Sequence, residues 1–137
     1  LTPTYHVFNM YKDFQEATYL PMDVKCDSMD VRGDSHAKNG RKIPVVSTSA
    51  AKKADGTIVV SLANVSLDKA QEIEFALDGV QAKTVAGEIL TCKKVSDFND
   101  FEHPEVVKPT TFKDAKLKKN ALKVKIPAKS IVVLKIK

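Results

Sequence analysis

The dipeptide Asp55-Gly56 sets the strongest local constraint on this chain. It separates "IPVVSTSAAK" from "TIVVSLANV", two runs rich in β-branched residues. An Asp-Gly step tolerates the positive backbone angles of a tight reversal, and β-branched side chains suit a pleated surface. The two runs therefore predict a hairpin turning at Ala54–Gly56.

The sequence after Thr18 continues in the same manner. "AQEIEFAL" alternates, with Ile73, Phe75 and Leu77 on one side and Glu72, Glu74 and Ala76 on the other. "LKVKIP" sets Leu122, Val124 and Ile126 against Lys123 and Lys125. "YLPMDVKC", "AKTVAGEILTC" and the closing "KSIVVLKIK" also read as strands, with Pro21 at an edge or strand start and Gly87 marking a bulge. "SMDVRGDSHAKNGRK" reads as a surface loop. About seven or eight short strands at spacings of roughly 8–12 residues predict an all-β fold, an antiparallel two-sheet β-sandwich of jelly-roll type.

Only the start differs. Thr2 followed by Pro3 is a helix start: a hydroxyl cap, then proline at the first helical position. Val7, Phe8, Tyr11, Phe14 and Thr18 recur at helical spacing with Met10 beside them, which predicts one N-terminal helix over about Pro3–Ala17. Its wide aromatic face needs a large surface to pack on.

Size and charge narrow the function classes. With 137 residues, 43% of them apolar, the chain suffices for one domain with a sizeable core. No apolar run approaches the roughly 20 residues of a membrane span. It opens at Leu1 with no signal peptide and no initiator Met, which reads as a piece of a longer protein. The net charge of +5 comes largely from the C-terminal end, where nine lysines and one acid follow Thr111–Phe112. Those lysines alternate with apolar residues, as they do on soluble sheet surfaces. Nucleic-acid binding would call for arginine or interleaved aromatics, and no nucleic-acid partner is expected.

The stretch "DFNDFEHPEVVKP", Asp97–Pro109, is the one candidate for chemistry. Asp97, Asp100, Glu102 and Glu105 could supply an acid–base pair, but glycoside hydrolysis needs two carboxyls held about 5–9.5 Å apart, usually from different strand ends. His103 has no second histidine at ligand spacing, so no metal or cofactor site is expected. The alternative is an ordered connection, anchored to the core by Phe98 and Phe101, stiffened by Pro104 and Pro109 and capped by Asp and Asn. His6 on the helix and His36 in the polar loop carry no catalytic pattern. Cys26 and Cys92 are too far apart for a redox pair and read as free and partly buried, or as one disulfide. No catalytic, cofactor-binding or metal residue is assigned.

The segments together suggest a family. "TPTYHVFNMYKDFQEATYLPMDV" resembles the exit from the catalytic barrel in α-L-arabinofuranosidases of glycoside hydrolase family 51, and "IPVVSTSAAKKADGTIVVSLANVSLDKAQEIEFAL" resembles the β-hairpin region after it. "VAGEILTCKKVSDFNDFEHPEVVKP" is similar to the family's strand and long loop, with Asn99, Phe101, Pro104, Val107 and Pro109 in place, and "LKVKIPAKSIVVLKIK" is similar to the closing strands.

The resemblance implies a division at residue 18. Residues 1–18 would be a helix from the barrel or linker region, and 19–137 a C-terminal β-sandwich. The parent would release terminal arabinofuranosyl residues with retention, using two barrel glutamates upstream of this chain. The resemblance implies a non-catalytic domain that stabilises the parent's (β/α)8 barrel. A carbohydrate-binding module for arabinose-containing polysaccharides is the second reading, although no Trp is present and Tyr5, Tyr11 and Tyr19 all lie in or beside the helix. Homo-oligomer contacts through Phe8, Tyr11 and Phe14 are a further expectation. Bacterial cytoplasm and periplasm, or secretion, all stay open.

Overall fold

In the computed structural model, which describes residues 1–31 and 41–137, the Asp55-Gly56 reversal is formed. Gly56 has φ 87°, the Asp55 carboxylate accepts from Thr57 N–H at 2.9 Å, and Lys53 N–H donates to the Thr57 carbonyl at 2.9 Å.

A helix, α1 (Pro3–Tyr11), runs into a short 3-10 turn (Lys12–Phe14). The strands follow as β1 (Thr18–Leu20), β2 (Ser28–Val31), β3 (Arg41–Pro44), β4 (Val46–Lys52), β5 (Ile58–Asn64) and β6 (Gln71–Ala76). Next come β7 (Val85–Thr91), β8 (Thr110–Phe112), β9 (Ala115–Lys118), β10 (Ala121–Ile126) and β11 (Ser130–Ile136). Six strands form one sheet in the order β1-β4-β5-β11-β7-β8. β6-β10-β9 form a second sheet, and β2-β3 a small ribbon. Every pairing is antiparallel.

The main core lies between the two larger sheets. Leu62, Val132, Leu134 and Ile136 from one meet Ile73, Phe75, Leu122, Val124 and Ile126 from the other. The alternation in β6 and β10 thus points where the sequence predicts, and the chain crosses between sheets as in a jelly roll. β5 and β11 do not alternate, because both faces of these central strands are covered. Val59 and Val133 turn to the opposite side, where they form a second cluster with Met10, Leu90 and Val107.

The helix is that second cover. Thr2 Oγ1 accepts from Tyr5 N–H at 3.2 Å, so the expected cap is present. Met10 is buried, and Val7, Tyr11 and Phe14 pack around it. The helix is shorter than expected. Gln15 is already extended (ψ 136°) and Glu16 sits at φ 57°, in the left-handed region, so the helical path ends before Ala17. Thr18, expected on the apolar helix face, instead opens β1 opposite Lys52. Phe8, one position past Val7, is rotated off the packed face and is 75% exposed.

Three strand expectations change. In "YLPMDVKC" only Tyr19 and Leu20 join a ladder, extending from Thr18; Met22, Val24 and Cys26 still pack on the main core. Ser28–Lys42, expected as a loop, pairs at its ends as β2 and β3, while His36 lies outside the described residues. Gly87 marks no bulge, since it pairs in unbroken register with Leu134 and Phe112. A Cβ there would lie 2.7 Å from Leu134 Cδ2 and 3.2 Å from Phe112 Cβ, so the glycine lets these two side chains close over β7.

Candidate functional site

The connection from β7 to β8 contains the whole acidic stretch. Its carboxylates serve their own backbone. Asp97 Oδ2 accepts from Lys93 N–H at 3.1 Å and Lys94 N–H at 2.9 Å. Asp100 Oδ1 accepts from His103 N–H at 2.5 Å, with His103 Nδ1 3.3 Å away. That backbone hydrogen bond is the main reason the Asp100 carboxyl is held below its ordinary pKa. Glu105 is held down by Lys108, whose Nζ lies 2.6 Å from Oε2. Glu102 and His103 are exposed. Three of the four acids are thus engaged within four residues of themselves and not aimed at a common point.

Asn99 fixes the loop. Its Nδ2 donates to the carbonyls of Leu1 and Val107, each at 2.8 Å, and its Oδ1 accepts from Val107 N–H at 2.7 Å. Val107 then inserts into the second apolar cluster. The ordered connection is therefore held by Asp97, Asn99, Asp100 and Val107. The anchors read from the sequence are different ones: Phe98 is 65% exposed and Phe101 fully exposed at 105%. The stretch orders itself by polar caps, which leaves its aromatic rings free to face outward.

The remaining candidates separate in space. His6 lies edge-on to Tyr5, with ring centroids 5.9 Å apart. Cys26 and Cys92 are free and partly buried, packed on different clusters on opposite faces of the large sheet. Among the described residues no group of three or more His, Cys, Asp and Glu could hold a metal ion, and no helix is long and apolar enough to cross a membrane.

Lys123 and Lys125 face Glu74 and Glu72 across the β10–β6 ladder, on its solvent side. Lys135 has another task that sequence reasoning misses. Asp13 Oδ2 lies 2.5 Å from Lys135 Nζ, and Asp13 Oδ1 lies 2.8 Å from Lys53 Nζ. The hydrogen bonds from Lys135 and then Lys53 lower the Asp13 pKa to about 2. Lys53 lies just past β4 in the hairpin turn and Lys135 lies on β11, so no local pattern announces the cluster.

Residues 1–130 match the model of the α-L-arabinofuranosidase C-terminal domain. An intracellular exo-α-L-arabinofuranosidase of Bacteroides ovatus is 52% identical over 136 residues, covering 99% of this chain and 25% of that protein. The crystal structure of the family 51 arabinofuranosidase from Xanthomonas axonopodis pv. citri superimposes with a TM-score of 0.90 at 34% identity, over 100% of this chain and 26% of that one. The thermostable enzyme from Thermotoga petrophila, at 18% identity, shares the fold with a TM-score of 0.80 over 100% of this chain and 29% of its own. The chain thus spans about a quarter of the relatives it matches.

Proposed function

The chain belongs to the α-L-arabinofuranosidase C-terminal domain family, and from that premise we propose that it is the non-catalytic β-sandwich of a retaining α-L-arabinofuranosidase. On this reading the larger protein removes terminal α-L-arabinofuranosyl residues with a barrel domain, and this domain stabilises that barrel. Residues 1–18 hand the chain over from the barrel, and 19–137 form the sandwich.

The observation that carries this reading is the fit of nearly the whole chain to about a quarter of longer arabinofuranosidases. The engaged carboxylates support it. Retention needs one carboxyl as nucleophile and a second, about 5–5.5 Å away, as acid and then base. Asp97 and Asp100 accept hydrogen bonds from backbone amides, and Glu105 is paired with Lys108. At Asp100 and Glu105 these bonds hold the carboxyls below their ordinary pKa, the opposite of a general acid held protonated near neutral pH.

The test is direct. The 137-residue chain and its full-length parent are assayed on an aryl α-L-arabinofuranoside, and the chain is titrated calorimetrically with arabino-oligosaccharides. The expected outcome is turnover by the parent only and no heat of binding. Hydrolysis by the chain alone would place a catalytic pair within it. Measurable sugar binding would make it a carbohydrate-binding module.

A further inference from the structure

α1 is apolar on two sides. Val7, Met10, Tyr11 and Phe14 pack on the sheet, while Tyr5 and Phe8, three residues apart, face outward at 50% and 75% exposure. A helix that only covered a sheet would be polar on its outer side.

The outward side continues into the β7–β8 connection. Asn99 Nδ2 donates to the Leu1 carbonyl at 2.8 Å, and Val107 packs beside Val7 and Met10. The connection presents Phe98, Phe101 and Val106 to solvent, and Leu1 is exposed beside it. A groove of about 460 Å³ lies at the same end, walled by Pro3, Val7, Leu90, Val107 and Ile131. Four exposed aromatic side chains, each able to bury roughly 150–250 Å², lie on these two adjoining segments, more than the singly scattered apolar exposure ordinary for a soluble domain. The loop is also preorganised. Asp97, Asn99 and Asp100 fix its backbone, so covering its rings costs little ordering entropy.

We propose that this face, formed by Tyr5, Phe8, Phe98, Phe101 and Val106, is the docking surface for the catalytic domain of the same protein. The proposal rests on the accessory-domain reading and specifies where that contact is made. The occupant follows from the chain outside these residues. The domain is C-terminal in its family and covers 25% of a relative, so a catalytic portion precedes these residues on this reading. Leu1 is tied to the loop that carries Phe98 and Phe101. The portion that precedes Leu1 thus emerges against the apolar face.

The experiment uses the full-length protein, as wild type and with Phe8→Ser, Phe98→Ser and Phe101→Ser combined. These side chains are exposed within the 137-residue chain, so the same triple change there keeps its circular dichroism and controls for folding. In the full-length protein, limited proteolysis near Leu1 is expected to accelerate roughly tenfold as the domains part, with a lower melting temperature for the catalytic domain. Unchanged cleavage and melting overturn the proposal. A fall to a smaller oligomer by light scattering, with cleavage unchanged, also overturns it and gives the face to a second copy. Leu134→Ala, which opens the sandwich core, separates the two levels. If it destabilises the catalytic domain while the triple variant does not, the accessory role stands and this face is the wrong one.

Discussion

At the scale of single residues, Asn64 does more than its place at the end of β5 suggests. It is only 2% exposed. Its Nδ2 lies 2.9 Å from the Lys69 carbonyl, 3.2 Å from that of Ile126 and 3.0 Å from that of Pro127, while its Oδ1 accepts from Ser66 N–H at 3.0 Å. One side chain thereby joins the β5–β6 connection to the β10–β11 connection, between the two sheets. Asn64→Leu keeps the volume and strands buried polar backbone. It is expected to cost about 2–3 kcal/mol, read as a lower urea midpoint at unchanged slope. Nothing in "SLANVS" signals this, because two of the partners lie more than 60 residues away. Leu122, Val124 and Ile126 are the contrary case, since period-two alternation alone assigns them to the core and they are fully buried. Phe98 and Phe101 mislead because an aromatic in a loop is cheapest when buried in an isolated domain. Their exposure makes sense once the domain has a partner.

At the scale of elements, α1 is the informative case. Its existence and its cap are visible in Thr2-Pro3, but its inner face is not, because aromatic residues occupy both sides. Which side packs is decided by Val59, Leu90 and Val133 on the sheet. In the 137-residue chain, Met10→Ala is expected to destabilise by about 2–4 kcal/mol through the cavity left between helix and sheet. Phe8→Ser in the same chain should shift stability by no more than about 0.5 kcal/mol, since the ring is exposed. Thermal unfolding of the two variants distinguishes the faces; equal losses would mean that the helix is turned otherwise. The doubly covered β5 and β11 are legible as apolar-rich runs without strict alternation, "TIVVSLA" and "SIVVL", whereas β2, β3, β8 and β9 are not. These are three- or four-residue strands whose pairing depends on neighbours brought by the fold.

At the scale of the molecule, three layers share one sheet, and Asp13 holds the outermost of them. The turn after α1 places its carboxylate between Lys53, at the tip of the β4–β5 hairpin, and Lys135 on β11. The Asp13 side chain is 14% exposed. Its pKa of about 2 in the fold lies below the ordinary aspartate value of 3.8, so the carboxylate form is favoured by folding. The stabilisation is therefore complete above the unfolded value and disappears as pH falls from about 4 towards 2. Both lysines are partly solvated, which screens the pair, so the contribution is about 1–2 kcal/mol. Asp55, Asp100 and Glu105 are lowered as well and add to any acid loss, so the whole-chain pH curve does not isolate Asp13. The difference between the wild-type chain and Asp13→Asn does. Denaturant titrations at pH 7 and pH 2 should show the variant weaker by about 1–2 kcal/mol at pH 7 and nearly equal at pH 2. A constant gap at both pH values would mean that Asp13 contributes through neutral hydrogen bonds and shape. Hydrogen exchange locates the loss. Amides of α1 should lose protection in Asp13→Asn at neutral pH while those of β5 and β11 keep theirs, because the main core lies on the far side of the sheet from the released helix.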